Sequence, residues 1–410
     1  MLQSKASRRY YGQMGAKLAV AAALAQVPLR AGAMQADATA ESGTTAAQVA
    51  ITLTSDNGGT CSLDTNSVPA GPITFTVTNV SATSLTEVEL ISNNRILGEK
   101  ENLAPGLPAV SFTLTLGGGT YQIYCPGASD EMQDFVVTGE AAPKAEGGVT
   151  AVLEEGTVGY KNYVVGVIDA MVTAVSTLND NIVAGDLEAA KIQYPLARPF
   201  YERAESSVEG FVMEGFDATD NLGNLDYLID MRESNLDPDA GWHGFHAIER
   251  DLFEGGEITD DTKALSAELL VNVQLLQTVV ADIEFAPEDL ANGAAALLEE
   301  VQANKITGEE EAYSHYDLID FAANVEGAQQ AFAFLEPGME MIDQALTDQV
   351  NTEFENVLAL LKTYRDDSIP GGYILYTPEV RDSEGPTLSK AVQLLQEPLA
   401  RIAEKVATAV

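Results

Sequence analysis

GEAAPKAEGG, Gly139 to Gly148, separates two hydrophobic periods. The stretch is small, polar and interrupted by Pro143, a composition that neither a strand nor a helix interior favours. On its N-terminal side apolar residues recur at every second position. PITFTVTNV alternates Ile73, Phe75 and Val77 with Thr74, Thr76 and Thr78, the pattern of a strand with one buried face. VSFTLTL repeats it with Val110, Phe112, Leu114 and Leu116. Gly117 to Gly119 then turn the chain into TYQIYCPG, and DFVVTG closes the region. Short strands at this spacing predict a β-sandwich over residues 48–140.

Beyond a linker at 141–149 the texture changes. VVGVIDAMVTAVSTLNDNIVAG and KALSAELLVNVQLLQTVVADI carry apolar residues at helical spacing. Breaks at Pro195, Pro238, Gly255, Pro287, Pro337 and Pro370 predict about eight mostly long helices, an all-α bundle over 150–410. The fold class is therefore multidomain, a β-sandwich followed by a helical bundle.

Lys and Arg number 22 against 62 Asp and Glu, a net charge of −40. That field repels phosphate backbones and anionic lipid, so neither nucleic acid nor a membrane surface is an expected partner. It attracts cations, although solubility or a saline habitat is the expected cause of most of the charge. Residues 1–38 have the layout of a signal peptide: basic SKASRRYYGQMG, the short apolar run AKLAVAAALAQVPL, then AGA or ADA as small-residue cleavage sites. Arg8 and Arg9 match the twin-arginine route in part. No later apolar run approaches the about 18 residues that a span requires. The expectation is an exported protein, periplasmic or extracellular, soluble after cleavage and without direct membrane insertion. In an oxidising compartment Cys61 and Cys125 are expected to pair; as thiolates they would instead be soft metal ligands.

GWHGFHAIERDLF, Gly241 to Phe253, holds two of the three histidines. Residues three apart on a helix share a face, so His246 and Glu249 form half of a first-row metal site, with His243 beside them only if the helix reaches back past Gly244. An amphipathic packing helix explains the same letters. The zinc-peptidase patterns H-E-x-x-H and H-x-x-E-H both lack their second histidine here, which speaks against hydrolysis. Acids gather in YERAES (Glu202, Glu205), LIDMRES (Asp230, Glu233) and ITGEEEAYSHYDLIDF (Glu309, Glu310, Glu311, Asp317), where solvated helix faces are the alternative. Arg203 and Arg232 fit as their ion-pair partners, and His315 as a capping or packing residue.

GFHAIERDLF, YERAES and the run from Asn292 to Gln329 resemble the imelysin-like domain of the EfeO-type iron-uptake family. ITFTVTN, ENLAPG and GTYQIYCPG resemble the cupredoxin-like domain that precedes it, so the resemblance covers nearly the whole chain past the leader. It implies a binding protein and not an enzyme: one that captures iron, Fe2+ or Fe3+, and hands it to a membrane iron permease that works with a haem peroxidase. It also implies a metal site of His246, Glu249, Glu205, Asp230 and Glu310, with zinc or copper as alternative ions. In the sandwich the family's candidate ligands are the two cysteines, here Cys61 and Cys125, with the nearby acids Glu89, Glu99 or Glu101. A blue-copper centre is excluded, because no histidine precedes His243. The rival implication is an imelysin-type metallopeptidase using the H-x-x-E motif.

Overall fold

Strands occupy the N-terminal part of the chain: β1 (Ala47–Thr54), β2 (Thr60–Leu63), β3 (Ser67–Pro69), β4 (Gly71–Asn79), β5 (Val88–Ser92), β6 (Arg95–Lys100), β7 (Val110–Leu116), β8 (Gly119–Tyr124) and β9 (Met132–Thr138). The computed structural model describes residues 45–141 and 147–409. The leader at 1–38 and residues 142–146 of the linker lie outside the described residues. The strands form two sheets, ordered β2-β1-β4-β7 and β3-β9-β8-β5-β6. Period-2 patterning sets the register: Ile73, Phe75 and Val77 of β4 face Leu114, Phe112 and Val110 of β7. Phe75 stacks on Phe112 at 5.0 Å and meets Phe135 of the other sheet edge-on at 5.3 Å. A disulfide between Cys61 of β2 and Cys125, just past β8, ties the two sheets together.

The threonines on the other face of β4 and β7 read as solvent-facing, yet Thr74 and Thr113 are buried and share a hydrogen bond of 2.9 Å. The helices cover them. β7 is an edge strand, and its outward N–H groups would be unpaired. Glu288 Oε1 accepts from the Thr115 amide at 2.9 Å. The Asn292 carboxamide bonds the Thr113 backbone both ways, donating at 2.6 Å and accepting at 3.3 Å. Lys100 pairs with Glu299 at 2.6 Å, and the Arg95 guanidinium lies 4.6 Å from the Phe211 ring centre.

The helices are α1 (Gly148–Ala184), α2 (Leu187–Ala197), α3 (Pro199–Glu202), α4 (Glu205–Val208), α5 (Leu225–Asp230), α6 (Gly244–Glu249), α7 (Asp260–Val280), α8 (Pro287–Glu300), α9 (Asp317–Leu361), α10 (Pro378–Leu399) and α11 (Ile402–Ala407). On α1 the residues Tyr160, Val164, Ile168, Met171, Val175, Leu178 and Ile182 recur at three and four and are buried, against α7 and α9. Two of the expected breaks read differently in space. Pro195, buried, lies inside α2, and Pro337, exposed, lies inside α9, so neither proline ends its helix. The real interruption of α9 is Asp343, at φ −155° and ψ 81°. Four-to-six-residue helices, α3 to α6, replace the long ones expected around the site.

Candidate metal centre

Short helices are what bring distant acids to one point. α6 begins at Gly244, whose φ of +77° is in the left-handed region and whose Cβ position would lie 2.1 Å from the Ile229 carbonyl oxygen. Only glycine permits that approach. It seats the start of α6 against the end of α5, so His246 faces Asp230. His243 is left outside the helix as its N-cap residue and pairs with Glu268 through Nδ1 at 2.9 Å. The chain leaves α6 through a π-helical turn, Arg250–Gly255, and a second π turn, Val301–Lys305, leads into the loop carrying Glu310 and Glu311. Such turns commonly mark functional sites.

The imidazole of His246 is 2% exposed and carboxylates surround both of its nitrogens. Nε2 stands 3.5 Å from Glu310 Oε1 and 3.7 Å from Asp230 Oδ1; Nδ1 stands 3.3 Å from Glu249 Oε2 and 3.9 Å from Glu311 Oε1. Two triads result, Asp230–His246–Glu310 and His246–Glu249–Glu311, each with ligand atoms within 4.8 Å of one another. Ions of this class bond nitrogen and oxygen at about 2.0–2.2 Å, so adjacent ligand atoms stand about 3–3.5 Å apart, close to these separations. Nε2 has no hydrogen-bond partner and is a buried ring nitrogen that faces two carboxylates. Glu249 is engaged at both ends, because its Oε1 accepts from the amides of Tyr313 and Ser314 at 2.9 and 2.7 Å. It thereby pins the acidic loop to α6. His315 sits in that loop with φ 63° and gives its carbonyl to the Tyr376 amide at 2.8 Å.

Buried carboxylates at this density need counter-charge. Arg198, 1% exposed, supplies most of it. Its guanidinium contacts Asp230, Glu202 at 2.5 Å, Glu310 at 2.5 Å, Glu311 at 3.2 Å and Asp320 at 3.5 Å. Lys305 lies 2.9 Å from Glu202 and 3.2 Å from Glu310. The acids divide accordingly. Burial raises Glu310, but Lys305 and Arg232 outweigh it and hold the carboxyl well below the usual range. Burial wins at Glu311 and Asp320, which are pushed well up, and at Asp230, raised to about 7 despite Arg198. Burial and Arg198 work against a charged His246, yet the hydrogen-bonded Glu249 and the facing carboxylates of Glu310 and Asp230 raise it to about 9. A third triad, Glu202–Glu310–Asp320, lies on the far side of the shared Glu310.

Of the residues expected at the site, His246, Asp230, Glu310 and Glu249 come together. Glu205 does not join a triad with His246 among the described residues. α3 ends at Glu202 and α4 restarts at Glu205, with Ala204 at φ −124° and ψ −9° between them. Glu205 lines a second cavity, which Asp230 and acids of the sandwich also line. Cys61 and Cys125, held as a disulfide, present no thiolate. Arg198, Lys305 and Asp320 were not singled out from the sequence. A lone arginine in the otherwise uncharged run YPLARPFY was the available signal.

A family model described as imelysin, peptidase M75, matches residues 156–402. Over 359 residues the chain is 33% identical to the iron uptake system component EfeO of Escherichia coli strain K12, covering 87% of this chain and 90% of the relative. It is 34% identical over 354 residues to the iron uptake system component EfeO of Shigella boydii serotype 4, covering 85% and 90%. No helix among the described residues is long and apolar enough to cross a membrane.

Proposed function

The chain belongs to the imelysin family, in its EfeO-type iron-uptake branch, and from that premise we propose that it captures iron outside the cytoplasm and hands it to a membrane permease. The observation that carries the reading is the buried Asp230–His246–Glu310 triad with its unpartnered Nε2. Hard oxygen donors with a single imidazole suit Fe2+, Fe3+ or zinc, and not copper(I). The charge supports capture and release over permanent retention. Asp230, Glu310 and Glu311 already have Arg198 as counter-ion, so an arriving cation competes with a guanidinium that can re-form its pairs on release. An exported location and a haem peroxidase partner belong to the same reading and rest on the family.

The family's peptidase title motivates a second reading, metal-dependent hydrolysis. Two observations weigh against it. Glu249, where a general base would stand, has one oxygen on two loop amides and the other toward His246. It is also 0% exposed, and His246 2%, which leaves a polypeptide substrate no approach.

Anaerobic Fe2+ titration of the full chain, beside a His246→Ala/Glu249→Ala variant, tests the first reading. It expects the variant to lose one tight equivalent; full retention defeats it. Cleavage of casein by the metal-loaded protein, abolished in Glu249→Gln, would establish the second.

A further inference from the structure

A cavity of about 210 Å³ opens between α2, α3, the start of α9 and the loop that joins α9 to α10. IPGGY, Ile369 to Tyr373, shapes its rim. Gly371 and Gly372 hold φ of +84° and +79°, in the left-handed region, and a Cβ at Gly371 would lie 2.1 Å from Ile319 Cδ1. Glycine therefore lets this loop press on α9. The loop folds back as the Asp366 amide donates to the Gly372 carbonyl at 3.0 Å, and Arg365 becomes the antiparallel bridge partner of Tyr373. Partners across a bridge share a face, so the Arg365 guanidinium stacks on the Tyr373 ring, 4.3 Å from its centre.

Two polar groups at this rim lack partners. Tyr373 is 7% exposed, yet its hydroxyl has no hydrogen-bond partner among the described residues, although a buried tyrosine usually finds one. Burial raises its pKa against the opposing pull of Arg365, so the hydroxyl stays a donor at neutral pH. The Arg365 guanidinium, which is exposed, forms no ion pair or hydrogen bond among the described residues; Asp366 beside it accepts from Ser368 instead. The second guanidinium, of Arg203, is committed to Glu326 through Nε at 3.0 Å and Nη2 at 2.8 Å. Guanidiniums thus outnumber carboxylates two to one in the lining, in a chain with 62 acids and 22 bases. The remaining wall is mostly apolar, built from Pro195, Leu196, Pro199, Ile319 and Ala322 with the Phe200 ring.

We propose that this cavity binds a small organic monocarboxylate with a compact apolar body, its carboxylate held by Arg365 and the Tyr373 hydroxyl. A guanidinium stacked by its face still offers its edge N–H groups to a carboxylate, two at a time. The local charge, two cations against Glu326, matches a single negative charge, whereas a dianion would also meet the Glu326 carboxylate. The apolar walls favour a hydrocarbon body over inorganic phosphate or sulfate. The volume falls below the about 300 Å³ at which pockets for drug-sized ligands begin, so the body is about one aromatic ring in size. No residue of the His246 triads lines the cavity, and the site stands apart from the metal centre.

Saturation-transfer difference NMR of benzoate with the full chain at neutral pH tests the proposal. Benzoate should bind, and benzyl alcohol, a neutral analogue of similar shape, should bind at least about tenfold more weakly. Arg365→Gln should weaken benzoate about tenfold or more, as expected for a hydrogen bond to a charged group. Tyr373→Phe, which keeps the ring under the guanidinium, should weaken it severalfold. Circular dichroism melts that match the parent would verify that both variants keep the fold. His246→Ala should bind benzoate as the parent does, whatever becomes of the iron reading. Equal binding of benzoate and benzyl alcohol, or of benzoate by the parent and by Arg365→Gln, overturns the carboxylate site. Binding of neither benzoate nor hexanoate overturns it too. An acetylated tripeptide ending in phenylalanine that binds more tightly than benzoate would make the ligand a chain terminus and overturn the small-molecule assignment.

Discussion

Arg198 Nη2 lies 2.5 Å from Glu310 Oε1, the same oxygen that faces His246 Nε2 at 3.5 Å. The guanidinium therefore holds a carboxylate that a metal bound to His246 would use. Removing one partner of a buried ion cluster costs about 3–5 kcal/mol, because the remaining charges stay uncompensated. Arg198→Gln should lose about that much stability when metal-free. Zn2+ at a thousandfold its dissociation constant should restore about 4 kcal/mol. Urea denaturation with and without the ion measures both. A variant as stable as the parent without metal would mean that protons, and not Arg198, balance the cluster.

Stability of the metal-free protein should fall as pH rises. Asp226, raised to about 6 against Tyr201's opposing hydrogen bond, and Asp230, raised to about 7, are both lifted by burial from 3.8. His246 is raised from 6.5 to about 9. Each binds its proton more tightly when folded, so its contribution is complete below the unfolded pKa and lost as pH climbs through the folded one. The decline should run from about pH 4 to about pH 9, opposite to the usual acid denaturation. Bound metal, which needs Asp230 and His246 deprotonated, should reverse the trend at neutral pH. Thermal melts across that window, with and without Zn2+, decide it; a metal-free melting temperature that rises with pH would refute the assignment.

The two periods on either side of Gly139–Gly148 carry the architecture because burial of one face imposes them, whatever the neighbours are. The same letters could not reveal that α8 covers the threonine face of β7, since that depends on how the domains dock. His246 and Glu249 are adjacent on one helix and readable from spacing. Asp230 and Glu310 reach them only through Gly244 and the loop pinned by Glu249, long-range contacts that spacing does not encode. Arg198 and Lys305 are invisible for another reason: a search for metal ligands looks for anions and imidazoles, whereas burying them calls for cations. Glu205 illustrates the reverse. Its motif position predicts a ligand, and in space it lines a cavity shared with Asp230 and not a triad with His246.

The Cys61–Cys125 disulfide spans 64 residues and joins the two sheets. A closed loop of that length restricts the unfolded chain by about 4 kcal/mol in the chain-entropy account. Cys61→Ser/Cys125→Ser should lower sandwich stability by about 2–4 kcal/mol while leaving the His246 equivalent of iron unchanged. Guanidinium denaturation and iron titration of the same preparation test the two halves separately. Loss of that iron equivalent would show that the sandwich governs the bundle's site.

Glu249 tests whether its role is to bind or to position. Its Oε1 receives the Tyr313 and Ser314 amides, two residues past the acids that face His246. Glu249→Gln keeps a carbonyl oxygen for those amides, whereas Glu249→Ala removes the anchor. If Glu249 acts by holding the loop, the Gln variant should bind iron within about tenfold of the parent, and the Ala variant should fall about 10–100-fold or more, as for supporting groups around metal ligands. Hydrogen exchange at the Tyr313 and Ser314 amides should quicken in the Ala variant and stay slow in the Gln variant. Equal losses of affinity in both, with the loop amides still protected, would make Glu249 a direct ligand of the ion.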